Sequence, residues 1–318
     1  MTFSGKRILV TGGTGFLAWN LVSRLPVDDC HIRCVTRAQG LANRACTPGN
    51  IADRSFWSDA LPGTDFVFHF AAQTSVYLAE ENPAADWRAN VLPMLCLLES
   101  CRQSGCRPLI LFAGTATQCG LPERMPVDES QPDLPVTVYD RHKLEAETCL
   151  KDFTRSDFAR GTVLRLSNIY GPGPPSGNPD RGVLNTMMRR ALRGEALTIY
   201  GEGNQVRDYL FSTDAADAFI AAAAHPEAVN GRHFIASSGE GHTLARAFEL
   251  VAERAALLSG VRVPVTSVEP PAGLSRIEER SFIGDTSSLR AATGWEARIA
   301  LSEGIDRTLK SIQREKAA

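Results

Sequence analysis

The chain has 318 residues, 22% charged and 43% hydrophobic, which suits one large α/β domain or a cofactor domain with a smaller partner. Its net charge of −2 gives no basic excess, so nucleic acid is not an expected partner. No apolar run of about 18 residues occurs, so no membrane span is expected, and a strand as early as Arg7 leaves no room for a signal peptide.

In chain order, residues 7–10 read as a short apolar strand, followed by a glycine loop and a helix through Leu25. Residues 31–36, 65–70, 108–113 and 162–166 read as further strands, with a helix over 87–104. Apolar strands alternating with helices predict a parallel sheet covered on both faces. Residues 170–179 hold four prolines and three glycines, which suits a loop over a site. Beyond it come shorter elements, with helices near 184–192 and 244–257, and a tail over 310–318 expected to fray. The expected division is a cofactor domain over 1–167, to which segments near 205–230 return, and a smaller substrate-binding lobe over most of 168–318.

Eight cysteines (Cys30, Cys34, Cys46, Cys96, Cys101, Cys106, Cys119 and Cys149) form no Cys-x-x-Cys pair. Scattered reduced thiols in a cytoplasmic protein are expected rather than a metal site, and Cys119 reads as packing.

Two motifs carry chemistry. Val10-Thr11-Gly12-Gly13-Thr14-Gly15-Phe16-Leu17-Ala18 links strand to helix as a nucleotide-phosphate loop does. Gly12 permits the tight turn, Gly15 lets backbone approach a pyrophosphate, and Ala18 is small enough for the helix to pack on the sheet. Tyr139 and Lys143 stand four residues apart, on one helical face, where the ammonium favours phenolate. Together they point to oxidoreductase chemistry on a nicotinamide. At the end of the second strand, Val35-Thr36-Arg37 has no carboxylate for a ribose 2′-hydroxyl, and Arg37 and Arg44 suit a 2′-phosphate. NADP(H) is therefore expected over NAD(H).

These residues resemble the extended short-chain dehydrogenase/reductase family of nucleotide-sugar epimerases, dehydratases and reductases. The likeness runs through Gly49-Asn50-Ile51, His69-Phe70-Ala71-Ala72-Gln73, Asn90-Val91, Thr115 to Gly120, Tyr139/Lys143/Glu147, Arg165 to Pro172, Gly201 to Tyr209, and Asp285 to Trp295. It implies a Rossmann doubly wound sheet, with Thr115, Tyr139 and Lys143 as catalytic group. Cofactor contacts are implied at Gly12, Thr14, Gly15, Phe16, Leu17, Arg37, Asn50, Ile51, Phe70, Ala71, Ala72, Asn90, Tyr139 and Lys143. Substrate contacts are implied at Thr115, Asn168, Arg207 and Arg280, with Arg207 on the diphosphate of a nucleotide sugar. A homodimer through the helices around 89–100 and 139–151 is also implied. His69 and His142 read as packed or surface histidines.

Family dehydratases and decarboxylases carry a carboxylate just after the threonine, where this chain has Ala116 and Thr117. Hydride transfer at a sugar carbonyl or alcohol remains. Several peptides look like those of dTDP-4-keto-6-deoxyhexose 4-ketoreductases, so NADPH-dependent reduction at C4 is the first expectation. An NAD-dependent nucleotide-sugar 4-epimerase is the second, and a non-catalytic NADP-binding regulator the third.

Overall fold

The computed structural model describes residues 3–26, 28–37, 46–174 and 182–317; Arg44 and residues 175–181 lie outside them. The first half runs β1 (Arg7–Thr11), α1 (Phe16–Val22), β2 (His31–Thr36), β3 (Cys46–Pro48), α2 (Arg54–Ala60), β4 (Phe66–His69), α3 (Val76–Glu81), α4 (Pro83–Asn90), α5 (Leu92–Ser104), β5 (Leu109–Thr115), α6 (Val138–Arg155) and β6 (Arg160–Leu166). The second half runs β7 (Asn168–Tyr170), α7 (Val183–Ala191), β8 (Leu197–Tyr200), β9 (Val206–Phe211), α8 (Ser212–Ala224), α9 (Pro226–Val229), β10 (His233–Ala236), β11 (Gly241–Thr243), α10 (Leu244–Ser259), β12 (Val265–Val268), α11 (Ser287–Thr293) and α12 (Leu301–Ala317).

Seven parallel strands form the main sheet in the order β10-β6-β5-β4-β1-β2-β3. Its central strands bury nearly every side chain: Val10, Phe68 and Leu111 are fully covered, as strands with helices on both faces require. The expected α/β Rossmann class is what the chain adopts. Strand order reverses between β1 and β4, so a crevice opens where their carboxyl ends diverge. There the Thr11 hydroxyl accepts from the Phe70 and Ala71 amides, each at 3.1 Å, and ties the two exits together.

Two small sheets, β11-β9-β7 and β12-β8, lie outside this one. The chain beyond Ser167 serves both cores. Ala215, Phe219 and Phe234 join the main-sheet core, whereas Tyr170, Met188, Phe211, Phe248, Ile305 and Leu309 pack a second one.

Three elements differ from expectation. The helix over 87–104 is two helices, because Pro93 has no N–H to continue the ladder through Val91. The first helix stops at Val22, short of Leu25. The tail does not fray, since α12 stays helical to Ala317 and lays Leu301, Ile305, Leu309 and Ile312 into the second core as one buried stripe.

Gly304 lies on that stripe, where a β-carbon would overlap the Tyr170 hydroxyl and sit 2.8 Å from Phe211 Cδ2. In an open helix Gly→Ala is favourable, but here overpacking opposes it. Gly304→Ala is expected to lower unfolding free energy by about 1–3 kcal/mol in a denaturant titration; an unchanged or stabilised variant would contradict this packing.

Candidate active site

Strand β5 delivers Thr115 to the carboxyl edge of the sheet, beside the crevice. Gly114 allows this, because a β-carbon there would lie 2.7 Å from Val163 Cγ1 on β6. Thr115 then caps a short 3-10 turn, Ala116–Cys119: its oxygen accepts from the Thr117 amide, and Gln118 Oε1 accepts from its own amide at 3.2 Å. The Thr115 and Thr117 hydroxyls are 2.7 Å apart, so Thr115 is both a cap and a hydroxyl at the sheet edge.

Helix α6 meets this turn with its first residues. Thr137 caps it, accepting from the Asp140 amide at 3.1 Å. The buried Asp140 carboxylate accepts from the Thr137 hydroxyl at 2.7 Å and, at short range, from the Thr117 hydroxyl. Tyr139 therefore stands one residue from the group that docks α6 onto the Thr115 turn. It is 7% exposed and packs with Val76, Ala79, Val138 and Ile277. One turn on, Lys143 is buried with its ammonium 3.9 Å above the Phe112 ring on β5. Burial pulls Lys143 down to about 7, against the opposing charges of Asp86 and Glu147.

Two polar networks hold these groups. In the first, Gln118 Nε2 donates to Glu147 at 2.9 Å, and Arg165 donates to Glu147 at 3.0 and 2.7 Å and to Asp133 at 2.7 and 2.9 Å. Burial alone would raise the Glu147 carboxyl; the Arg165 hydrogen bonds and charge outweigh it and hold it at about 2. In the second, Asp86 accepts from Gln73 Nε2 at 2.7 Å and Asn90 Nδ2 at 2.9 Å and pairs with His142 Nδ1 at 2.6 Å. The side-chain amide of Asn90, a residue expected at the cofactor, donates to Asp86 and to the Gln73 carbonyl and accepts from the Gln73 amide.

On the cofactor side, Gly12 has φ +70°, and a β-carbon there would sit 2.9 Å from the Ala71 backbone. Helix α1 starts after Gly15 with no side-chain cap, so its first-turn N–H groups stay available to an anion. Phe16 touches the segment after β7, where Asn20 Nδ2 also donates to the Pro172 carbonyl at 3.1 Å. Thr14 and Thr36 hydroxyls are 3.3 Å apart, and exposed Arg37 follows β2. Asn50 is exposed and accepts from the Ala52 amide at 3.2 Å, while the buried Ile51 carbonyl accepts from Trp57 Nε1 at 2.7 Å. Leu17 and Ala72 are half-buried, and Phe70 packs on Phe219 with centroids 4.7 Å apart. The uncapped helix and flat glycine turn at the strand-order reversal fit a dinucleotide. His69 is buried, pushed down to about 3 by burial and Lys143, and its Nδ1 lies 3.2 Å from the Thr11 hydroxyl; it packs, as expected. Burial pushes the Cys119 thiol up to about 11, which keeps it a thiol.

On the substrate side, Arg207 lies 3.5 Å from the Glu278 carboxylate and not against Asp208. Its guanidinium donates to the carbonyls of Arg280 and, at 2.8 Å, Glu278, while Asp208 accepts backbone amides of Ser238, Gly239 and Gly284. Arg280 is buried beside Arg207, which together with burial pulls it down to about 10. Its Nε has no partner among the described residues, and its NH2 reaches only Asn168 Oδ1 at 3.4 Å. Two adjacent buried guanidiniums, one under-satisfied, suit a dianionic ligand.

The family model described as NAD dependent epimerase/dehydratase matches residues 8–236. The chain belongs to this family. The epimerase/dehydratase chain is 27% identical over 322 residues to UDP-glucose 4-epimerase of Mycolicibacterium smegmatis, covering 97% of this chain and 99% of that one. A solved UDP-glucose 4-epimerase of Thermotoga maritima, with UDP-glucose, superposes with TM-score 0.87 at 28% identity over 98% of this chain and 99% of that one. The Thermus thermophilus UDP-glucose 4-epimerase, in complex with NAD, gives TM-score 0.82 at 30% identity over 96% and 99%. These relatives bear the name of the second expectation, the 4-epimerase, and not that of the deoxysugar ketoreductases.

Sequence reasoning passed over Gln118, Asp86 and Asp140. Asp140 had a signal, since Thr137-x-x-Asp140 before a helical run is a capping pattern. Because Glu147 is held near 2 against its ordinary 4.5, it contributes stability above pH 4.5 that fades as pH falls toward 2. Measured by denaturant unfolding, Glu147→Gln is expected to cost about 3 kcal/mol at pH 7 and progressively less below pH 4.5. An equal cost at pH 7 and pH 3 would contradict the ion-pair assignment.

Proposed function

We propose that this family member is a 4-epimerase of nucleotide sugars, with UDP-hexoses as its substrate class and NAD(H) kept bound through turnover. The observation that carries this reading is the composition of the turn at the end of β5. Thr115 is followed by a methyl and a hydroxyl, Ala116 and Thr117, so the turn brings no carboxylate of its own for C–O or C–C cleavage. Full-length similarity to proteins named UDP-glucose 4-epimerase supports the same choice.

In this reading Arg207 and Arg280 grip the diphosphate, Asn168 touches sugar or phosphate, and Thr115 meets the sugar C4 oxygen. Tyr139 takes the proton of that hydroxyl and later returns it. Lys143, poised by burial near neutrality, supports the phenolate and contacts the nicotinamide ribose. A nicotinamide held in this crevice would supply the hydride exchange at C4. Gly12, Thr14, Gly15, Phe16 and Leu17 would hold the pyrophosphate, and Asn50 and Ile51 the adenine.

One observation favours the alternative of an NADPH-dependent 4-ketoreductase: Thr36-Arg37 ends β2 with no carboxylate. Purified protein given UDP-galactose and no reductant separates the readings. Appearance of UDP-glucose supports the epimerase; no conversion, with NADPH oxidised by a 4-keto sugar nucleotide, overturns it. Tyr139→Phe is expected to lower kcat about 100-fold or more while leaving dinucleotide affinity unchanged, and a variant keeping most of its rate would remove Tyr139 from the proton transfer.

A further inference from the structure

Cys34 on β2 and Cys46 on β3 are register partners in the parallel pair at the edge of the main sheet. Partners in such a pair point to one face, and here that face carries the phosphate loop. A β-carbon on Gly13 would sit 2.8 Å from Cys34 Cβ and 3.0 Å from Cys46 Sγ, so both side chains meet the loop at one point. The Gly13 amide also donates to the carbonyl of Val35, the residue after Cys34, at 3.0 Å. No disulfide joins the two cysteines. Cys34 is buried and Cys46 half-buried, so one thiol meets solvent and the other lies behind it.

We propose that Cys34 and Cys46 form a reversible disulfide that weakens dinucleotide binding, with a small-molecule disulfide as the oxidant. The Cys46 thiolate attacks one sulfur of that disulfide, whose S–S bond breaks and releases one small thiol. Cys34 then attacks Cys46 in the mixed disulfide and releases the second. The two cysteines lose two protons and two electrons, and the small disulfide takes up both as two thiols. Register partners on neighbouring strands have α-carbons about 4.8 Å apart, inside the range a disulfide spans. Their β-carbons stand at roughly the same separation, whereas a disulfide holds its β-carbons at about 3.8 Å. Closing the bond therefore draws β3, a three-residue edge strand, toward β2 beneath Gly13. Gly49, Asn50 and Ile51 follow β3 directly and move with it. The bond thus disturbs both the phosphate loop and the segment that would hold adenine.

The test equilibrates the purified protein in mixtures of reduced and oxidised glutathione and titrates NADH and NADPH by fluorescence. Peptide mapping without reductant should find a Cys34–Cys46 link. The oxidised protein should bind dinucleotide about tenfold more weakly, and dithiothreitol should restore it. The coupling is reciprocal, so saturating dinucleotide should raise the oxidising ratio needed for half-conversion by the same factor. Cys46→Ser, changed at the half-buried position, should keep its affinity in every mixture. Absence of the link, a link that leaves affinity unchanged, or a loss that persists in Cys46→Ser overturns the proposal. Protein that binds neither dinucleotide overturns it together with the cofactor site. The outcome is separate from the epimerase reading, since no arm measures turnover.

Discussion

A carboxylate sealed from water, Glu147, holds the reactive half of this molecule together. It receives Arg165 from β6, Gln118 from the turn after β5 and Lys151 from its own helix. Such a group is costly to bury and is stable only when its oxygens are filled by well-placed donors. Those donors come from three different elements, so satisfying Glu147 sets the separation of α6, β5 and β6. Thr115 and Tyr139 take their places from that separation, because one ends β5 and the other opens α6.

The same logic of forced burial runs through the rest of the site with opposite outcome. Lys143 and Arg280 are buried, Arg280 with its Nε unpartnered among the described residues, and burial makes both lose affinity for their protons. These are the positions where the fold accepts an electrostatic cost, as groups that await a ligand do. Glu147 takes the opposite course, surrounded by donors and serving as a brace. A titratable group's role is thus read from whether the protein satisfies it.

Much of the fold was legible in the sequence. Val10, Phe68 and Leu111 belong to apolar runs that only a doubly covered sheet can bury, and the glycines after β1 announce their turn by composition. Tyr139 and Lys143 were legible from helical spacing. The misses share a cause: they depend on partners distant in sequence. The stripe of Leu301, Ile305, Leu309 and Ile312 does not reveal that Tyr170 and Phe211 await it. The expectation of a reductase rested on Arg37, an exposed side chain, and on short peptide likenesses, which are weaker guides than full-length similarity.

The central claim is that hydride leaves and re-enters the same carbon without escaping the site. It is tested most directly with UDP-galactose carrying deuterium at C4, incubated with the protein in ordinary water and followed by NMR of the sugar product. The account predicts UDP-glucose with deuterium retained at C4 and no net oxidation or reduction of nicotinamide. Product carrying solvent hydrogen at C4, or conversion only in step with NADPH consumption, would contradict it.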